Sequence, residues 1–212
     1  MAGKKRRADT LSILNRPQLL NKIKNIDNPR DQALVAFIYL TGARISEIVG
    51  QEKKVMKFYK GKGKDRVLIR TEEVKIPPLY KENIEVLKEK DMLLVHQVVC
   101  LKRKTSVPRR TIPIIISTER DFLIYFIDYF NTIRPGEPLF PITRQRAWQI
   151  VNKELELYNH FLIHERVTHL VTNFNFSDNH LMKFRGWSNT QPAATYTHLS
   201  YLDVANKMKG GV

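Results

Sequence analysis

The segment 160–201 gathers the residue types that could carry chemistry. It contains most of the histidines of the chain, and it also holds Trp187 and Tyr196. Imidazole groups transfer protons near neutral pH, and a phenol becomes a nucleophile when a base or a positive environment assists it. A helix carrying histidines, a second helix ending at Gly186 and a loop carrying Tyr196 would direct these polar groups at one point.

Arg44 is a candidate for anion binding from an earlier part of the chain. Asn28 as N-cap and Pro29 in the first turn predict a helix that continues through a long apolar run and ends at Thr41-Gly42. A second helical pattern follows over 43–49. Arg44 is therefore held at a turn between two buried helices, where a fixed guanidinium can bind a phosphate through two hydrogen bonds.

The composition favours a polyanionic partner. The chain has 212 residues with 36 Lys and Arg against 21 Asp and Glu, which gives a net charge of +15. Nucleic acid is the most common partner of such a protein, and an anionic membrane surface or simple solubility are the alternatives. No apolar run approaches the ~20 residues that span a bilayer. The single Cys100 excludes a disulfide framework, and we expect a soluble, cytoplasmic protein.

The elements that must position these residues alternate between helices and strands. Helices are predicted over 16–26, 118–131 and 143–158, and strands are predicted between Glu73 and Ile114. Residues 51–70 are basic and poorly periodic, with a hairpin turn expected over 60–64. A tail helix over 201–208 has apolar residues at near-helical spacing, and it could pack on a neighbouring protomer or on its own core.

Two clusters of basic residues lie where the chain is expected to turn. The predicted hairpin around 105–108 carries Lys102, Lys104, Arg109 and Arg110 with no acidic residue among them. It could contact DNA or be a solvated turn. Arg144 and Arg146 occupy the first turn of a helix, where positive charge opposes the helix dipole unless an anion binds there.

In chain order, these features resemble the catalytic domain of the tyrosine recombinases, the phage-integrase family. The resemblance covers about residues 12–208. It is carried by the sequence Thr-Gly-Ala-Arg44-Ile-Ser-Glu, a basic hairpin, a His-rich helix, and Gly-Trp187 followed nine residues later by Tyr196. It is most similar to archaeal and archaeal-virus integrases. The resemblance implies a mainly α fold with a small antiparallel β-sheet, and site-specific DNA strand exchange through a 3′-phosphotyrosyl intermediate. It implies no metal, cofactor or external energy source.

The resemblance also assigns roles to individual residues. Arg44 resembles the first catalytic arginine, His160 opens the His-x-x-Arg element, Trp187 stands where the family has His or Trp, and Tyr196 is the nucleophile. The hairpin lysine is Lys104 from its Lys-Thr context, with Lys102 as the alternative. We expect His160 to handle the proton of Tyr196 and the hairpin lysine to protonate the leaving oxygen.

The family's second arginine is missing. It should lie three residues after His160, where this chain has Ile163. We therefore predict DNA binding with slow or absent cleavage, unless another cation, Arg166 first, fills the role. The expected partner is double-stranded DNA, bound as a homodimer or homotetramer, and the expected DNA-binding residues are Lys102, Arg109, Arg110, Arg144, Arg146 and Arg166.

The domain organisation predicted from the resemblance is simple. Residues 1–10 form a basic lead-in, and residues 11–212 form the catalytic domain without a separate N-terminal DNA-clamping domain. The chain is then either a minimal enzyme or a catalytic fragment.

Two alternative functions remain open from the sequence. The first is a DNA-binding relative that has lost strand transfer, for which Ile163 is the reason. The second is a type IB topoisomerase-like nuclease or relaxase. A zinc site at His164 and His169 is not expected, because their i, i+5 spacing puts them ~140° apart on a helix, unlike the i, i+4 pair of His-Glu-x-x-His. Both residues are expected to pack in the core or to face DNA.

Overall fold

Seven α-helices and five β-strands lie in the residues that the computed structural model describes, which are 14–61, 65, 67–101, 108–156 and 159–196. The helices are α1 (Arg16–Lys24), α2 (Pro29–Thr41), α3 (Ile45–Ile48), α4 (Arg120–Phe130), α5 (Arg144–Leu155), α6 (Asn159–Phe174) and α7 (Asp178–Arg185). The strands are β1 (Gln51–Lys60), β2 (Val67–Ile76), β3 (Ile84–Leu87), β4 (Met92–Val99) and β5 (Arg109–Ile115). The predicted mainly helical fold with a small antiparallel sheet is confirmed.

Several predicted features lie outside the described residues. They are the basic lead-in 1–10, Lys102 and Lys104 of the predicted basic hairpin, and the predicted tail helix over 201–208. The division of the chain at residue 11 stays a prediction. Within the described residues, no helix has the length and apolar character needed to cross a lipid bilayer.

Helix α2 runs through the hydrophobic core and fixes the turn that follows it. Every residue from 33 to 41 is buried, and Phe37 stacks on Phe126 of α4 with 4.4 Å between the ring centroids. The helix begins as predicted, because the side chain of Asn28 accepts a hydrogen bond from the backbone N–H of Asp31. It ends at Gly42, whose φ of 56° is the left-handed conformation that glycine adopts without strain.

The strands form two antiparallel sheets rather than one. Strands β1 and β2 pair only with each other, and β3, β4 and β5 form a second sheet in that order. Strand β1 lies in the stretch that we described as poorly periodic. Only Met56 and Phe58 of this strand are buried, so the sequence lacks the strict alternation of a half-buried strand. Strand β3 was not predicted because four residues give too short a pattern.

The β4–β5 hairpin follows the prediction in position but not in the exposure of its basic residues. Residues of β5 alternate between exposed and buried, so that Arg110, Ile112 and Ile114 share the buried face. Arg109 is exposed and donates a hydrogen bond to the side chain of Gln97 at 2.9 Å. Because successive side chains of a strand point to opposite faces, Arg109 and Arg110 lie on opposite faces of the sheet.

A buried ionic network around Glu119 joins the first and sixth helices to the start of α4. Arg16 donates to Glu119 Oε2 at 3.0 Å, and Arg166 pairs with Glu119 Oε1. Arg166 is only 3% exposed, and its guanidinium also lies over the rings of Tyr39 and Phe174. The prediction that Arg166 contacts DNA is therefore wrong, because its charge is neutralised inside the core.

His169 belongs to the same buried region. Its Nδ1 lies 2.9 Å from the Tyr39 hydroxyl, and its Nε2 lies 3.1 Å from the backbone oxygen of Leu14. Burial lowers the pKa of His169, so the neutral ring accepts from Tyr39 and donates to Leu14. These contacts give His169 a structural role in the core.

Glu165 gives the fold a pH dependence. It is 2% exposed, and burial raises its pKa to about 7, which a hydrogen bond from the backbone N–H of Leu14 offsets only in part. Because the folded pKa exceeds the ordinary value, the folded state binds more protons between pH 4.5 and 7. Stability is therefore lost as the pH rises through this window.

We predict that Glu165→Gln removes this loss. Glutamine keeps the shape of glutamate and does not ionise, so the variant should gain about 2–3 kcal/mol over the wild type at pH 8. The gain should vanish at pH 4.5, where both side chains are neutral in the folded state. Urea unfolding between pH 4.5 and 8 measures the difference in the free energy of unfolding between the variant and the wild type. A difference that does not change with pH would contradict the role of Glu165 in the pH dependence.

Candidate active site

A cleft of about 400 Å³ brings together residues from distant parts of the chain. Its walls come from the start of α3, the first turns of α6, the end of α7 and the residues on either side of the 3₁₀ turn Ala193–Thr195. The side chains that could act chemically are those of Arg44, His160, His164, Arg185, Trp187 and Tyr196. The polar groups of the histidine-rich segment and Arg44 thus line one cleft.

Tyr196 is held between two aromatic groups in this cleft. Its hydroxyl lies 2.6 Å from Nδ1 of His164. Its ring stacks on Trp187, with 6.2 Å between centroids and an angle of 20°, and the His164 ring lies 5.4 Å away on an incline of 32°. The orientation of the phenol is fixed by these neighbours, and an imidazole nitrogen is in position to accept its proton.

The end of α7 positions the residues on either side of Gly186. The helix begins at the Ser177 N-cap and ends at Gly186, whose φ of 66° reverses the chain. The backbone N–H of Trp187 donates to Met182 and that of Gly186 donates to Lys183, which is the Schellman arrangement. A side chain at Gly186 would clash with Cys100 Sγ. Trp187 therefore turns towards Tyr196 while Arg185 stays on the buried face of the helix.

Glu47 is the buried anion at the back of the cleft. It is fully buried, and its Oε1 accepts a hydrogen bond from Arg44 Nη1 at 2.6 Å. Its Oε2 accepts from the backbone N–H of Arg44 at 3.0 Å and lies 3.4 Å from Arg110 Nη2. The capping of α3 and the orientation of the Arg44 side chain thus depend on one carboxylate.

Arg110 is a structural residue rather than a surface one. It is buried, and its Nη1 donates to the backbone oxygen of Arg185 at 2.6 Å in addition to the contact with Glu47. The prediction that Arg110 contacts DNA is therefore wrong, because its guanidinium links β5 to the end of α7 and to α3. Sequence periodicity carried the signal, since Arg110 stands in register with Ile112 and Ile114.

The electrostatics of the cleft are dominated by positive charge. Burial tends to raise the pKa of Glu47, but Arg110 and Arg44 outweigh it, so its pKa is lowered and the carboxylate stays ionised. Burial, followed by repulsion from Arg110 and Arg44, lowers the pKa of Arg185 to about 9. Three arginines thus surround one buried carboxylate, and the cleft carries an excess of positive charge.

A second groove continues from the cleft across the surface. It shares Arg44, His160 and Ile163 with the cleft and extends to Lys54, Arg144 and Trp148. Arg144 and Arg146 are exposed in the first turn of α5, whose N-cap is Thr143. The arrangement offers a polyanion a basic path that leads into the cleft.

Solved structures of DNA recombinases and integrases share this fold. XerA recombinase matches with a TM-score of 0.57 and 13% identity over 98% of this chain and 65% of its own length. XerH site-specific recombinase, bound to its difH substrate, matches at 0.53 and 14% over 92% of this chain and 52% of its own. The Tn1549 transposon integrase in complex with a circular intermediate DNA matches at 0.52 and 15%, over 95% and 67%. The fold is that of a tyrosine recombinase catalytic domain.

These likenesses have a limited extent. The chain spans about half to two thirds of the length of the recombinases that it matches. No protein-family model matches the sequence, and no curated protein matches it either. Identities of 13–15% carry the recombinase fold and leave the chemistry to be argued from the residues.

Within the recombinase fold, the predicted site residues have different outcomes. Arg44, His160, Trp187 and Tyr196 line the cleft together, and Arg109, Arg144 and Arg146 are exposed. Lys102 and Lys104 lie outside the described residues, and their roles stay predictions.

Two residues of the cleft were not assigned a role from the sequence. His164, which we expected to pack in the core or to face DNA, contacts Tyr196. Arg185 was overlooked, although it follows Leu181 and Phe184 at the i, i+3, i+4 spacing of a buried helix face. A charged residue at an apolar position of an amphipathic helix was the signal that could have found it.

We predict that Glu47→Gln destabilises this recombinase fold. Removing the carboxylate leaves buried arginines without their countercharge, which typically costs about 3 kcal/mol or more. Urea unfolding at neutral pH measures the loss. The matched control is Glu85→Gln, since Glu85 forms an exposed pair with His96 and should cost under about 1 kcal/mol. Equal losses in the two variants would contradict the central role of Glu47.

Proposed function

We propose that the protein is a site-specific DNA recombinase that cleaves and rejoins DNA through Tyr196. The observation that carries the proposal is the Tyr196 hydroxyl at 2.6 Å from His164 Nδ1, in a cleft that Arg44 borders. A nucleophile, a base and a fixed cation are the groups that phosphodiester transfer needs, and they occur together in a tyrosine recombinase fold.

The chemistry follows from these positions. The phenol oxygen of Tyr196 attacks phosphorus while its proton passes to Nδ1 of His164, in the tautomer that carries its proton on Nε2. The bond from phosphorus to the 5′-oxygen breaks, and that oxygen takes up a proton, for which Lys104 is the expected donor and Lys102 the alternative. The DNA 3′-phosphate is left on Tyr196, and attack by a 5′-hydroxyl reverses the steps and rejoins the strand.

Arg44 supports this reaction by binding the phosphate. Charge increases on the non-bridging oxygens in the transition state, and a donor already held in place stabilises that charge without reorganisation. The side chain of Arg44 is held by its hydrogen bond to Glu47, so the guanidinium is oriented before DNA binds. His160, at the start of α6 and on the wall of both cleft and groove, is the second proton-handling candidate.

The proposed partner is double-stranded DNA bound along the groove beside the cleft. Lys54 and Arg144 border this groove, Arg109 and Arg146 are further exposed cations, and the whole chain carries a charge of +15. Strand exchange requires two sites, so we infer assembly on DNA as a dimer or tetramer, with the tail over 201–208 as the expected docking segment. The likeness to archaeal integrases remains a prediction from the sequence.

One observation favours a second function, that of a DNA-binding relative without strand transfer. Ile163 is buried on the wall of the cleft at the position where the resemblance expects an arginine. Losing one charge donor typically lowers the rate of such a reaction ~10²–10³-fold. Such a protein would bind DNA through the same groove and form no covalent complex.

We predict that Tyr196→Phe abolishes covalent capture of DNA. The substrate is a pool of random-sequence duplexes that each carry a nick, because loss of the short 5′-hydroxyl fragment beyond the nick traps the phosphotyrosyl complex. Complexes that survive denaturing electrophoresis measure cleavage, and sequencing the trapped DNA identifies the target. The matched control is Tyr80→Phe, which removes the hydroxyl of an exposed tyrosine. The backbone of Tyr80 forms a β-bridge with Pro138, and the substitution leaves that backbone contact in place. DNA binding by the wild type without any covalent complex would favour the second function.

We predict that DNA binding weakens steeply with salt, because each neutralised phosphate releases counterions. The slope of log affinity against log salt should decrease in magnitude by about 1 in Arg144→Ala. Arg134→Ala, at an exposed turn after α4, is the control and should leave the slope unchanged. A flat plot for the wild type would exclude nucleic acid as the partner.

A further inference from the structure

The cleft lacks a cation at Ile163, and the residue first expected to replace it cannot do so. Ile163 is buried, with a side chain that offers no hydrogen bond to an anion. Arg166, three residues further along α6, is paired with Glu119 inside the core. A second phosphate-binding group must therefore come from another element.

Arg185 is a buried cation that borders the same cleft. Its side chain is 4% exposed, and Nε and Nη1 are buried without a hydrogen-bond partner among the described residues. Buried guanidinium nitrogens are rarely left in this state, because each unmade hydrogen bond carries a desolvation cost. Nε of Arg110 and Nε of Arg166 are also buried without a partner, but of these three arginines Arg185 is the one that borders the cleft, where a ligand could supply an acceptor.

The local backbone provides space for this guanidinium beside the turn that carries Arg44. A Cβ atom on Gly42 would lie 3.3 Å from Arg185 Nη1, tighter than ordinary contact, and its φ of 56° already favours glycine. The Arg185 guanidinium also lies 6.0 Å from the centre of the Trp187 ring, which stacks on Tyr196. Arg185 is therefore placed between the turn that carries Arg44 and the aromatic pair that holds Tyr196.

The charge balance points in the same direction. Glu47 is shared by Arg44 and Arg110, and Arg185 adds a third positive charge to the cluster. Repulsion from Arg110 and Arg44, added to burial, lowers the pKa of Arg185. Arginine nevertheless keeps its proton at neutral pH. A bound phosphate would supply the missing negative charge and the missing hydrogen-bond acceptors together.

We propose that Arg185 and Arg44 together bind one phosphate group in the cleft, and that Arg185 takes the place of the arginine missing at Ile163. The inference rests on the proposed function, in which this group is the scissile phosphate of DNA. It also changes the expectation for Ile163, because the site then has two arginines without it. Cleavage by the wild type should not be limited by the isoleucine.

The first experiment measures anion binding without DNA cleavage. Inorganic phosphate, exchanged for chloride at constant ionic strength, should raise the melting temperature of the wild type. Arg185→Met keeps an unbranched apolar stem and removes the charge, so it should lose most of that rise. It should also melt at or above the wild-type temperature without phosphate, because an unpaired buried charge has been removed. Arg134→Met is the matched control and should keep the full phosphate response.

The second experiment exchanges the positions of the arginine and the apolar residue. On a nicked duplex captured by the wild type, Arg185→Met should slow covalent complex formation ~10²–10³-fold while DNA affinity changes little. Adding Ile163→Arg to Arg185→Met should recover at least tenfold of that loss, whereas Ile163→Arg alone should give no increase over the wild type. Arg185→Lys, which keeps the charge and loses the planar fork, should fall between wild type and Arg185→Met.

The outcomes separate this inference from the proposed function. A wild type that binds DNA but never forms a covalent complex would contradict the recombinase proposal, and the phosphate response alone would then decide the role of Arg185. A wild-type cleavage rate in a folded Arg185→Met variant would overturn the inference and leave the recombinase proposal intact. An unchanged phosphate response in Arg185→Met would overturn it as well. If the double variant does not fold, the graded rates of Arg185→Lys and Arg185→Met remain the test.

Discussion

The buried carboxylate of Glu47 is the interaction on which the cleft depends. It caps α3 through the backbone of Arg44, orients the Arg44 side chain and pairs with Arg110 of β5. Arg110 in turn donates to the last carbonyl of α7. One charge in a region shielded from water therefore determines how a helix start, a strand and a helix end lie relative to one another. Electrostatic contacts of this kind are strong because little solvent screens them.

Two buried carboxylates organise the arginines of this protein in different ways. Glu119 is paired with Arg16 and Arg166 within a layer of aromatic rings, so both of its oxygens are used inside the fold. Glu47 is also surrounded by arginines, but its network opens on the cleft through Arg44 and Arg185. The same pair of residue types thus gives packing in one place and, in our proposal, anion recognition in the other. Access to the cleft, rather than residue type, separates the two roles.

The excess of positive charge at the cleft lowers the stability of the folded state, although the proposed function requires that charge. Bringing a third arginine beside one carboxylate disfavours the folded state, since the charge is desolvated and repelled by its neighbours. Sites built for binding or catalysis commonly retain such costs, and the rest of the fold offsets them. Here the offset comes from α2, buried along most of its length, and from the stack of Phe37 on Phe126. A rigid core allows the cleft to keep an arrangement that would otherwise relax.

Local patterns in the sequence were sufficient to predict much of the fold and part of the cleft. The Asn28 cap, the Gly42 and Gly186 helix ends and the β5 strand depend on contacts within a few residues, so the sequence determined them directly. Strand β1 was missed because a strand with only two buried residues has no strict apolar alternation along its length. The order of Arg44, Trp187 and Tyr196 indicated one cleft, and these residues do line it.

Only the tertiary structure decided which arginines are buried and what each one pairs with. Arg166 and Arg185 both lie on helices near the histidine segment, and nothing local distinguishes a core ion pair from an anion site. Arg166 meets Glu119 from 47 residues away, and Arg110 meets Glu47 from 63 residues away. The partner of a buried charge is chosen by packing between distant elements, because desolvation and Coulomb energies depend on the finished environment rather than on neighbours in the chain.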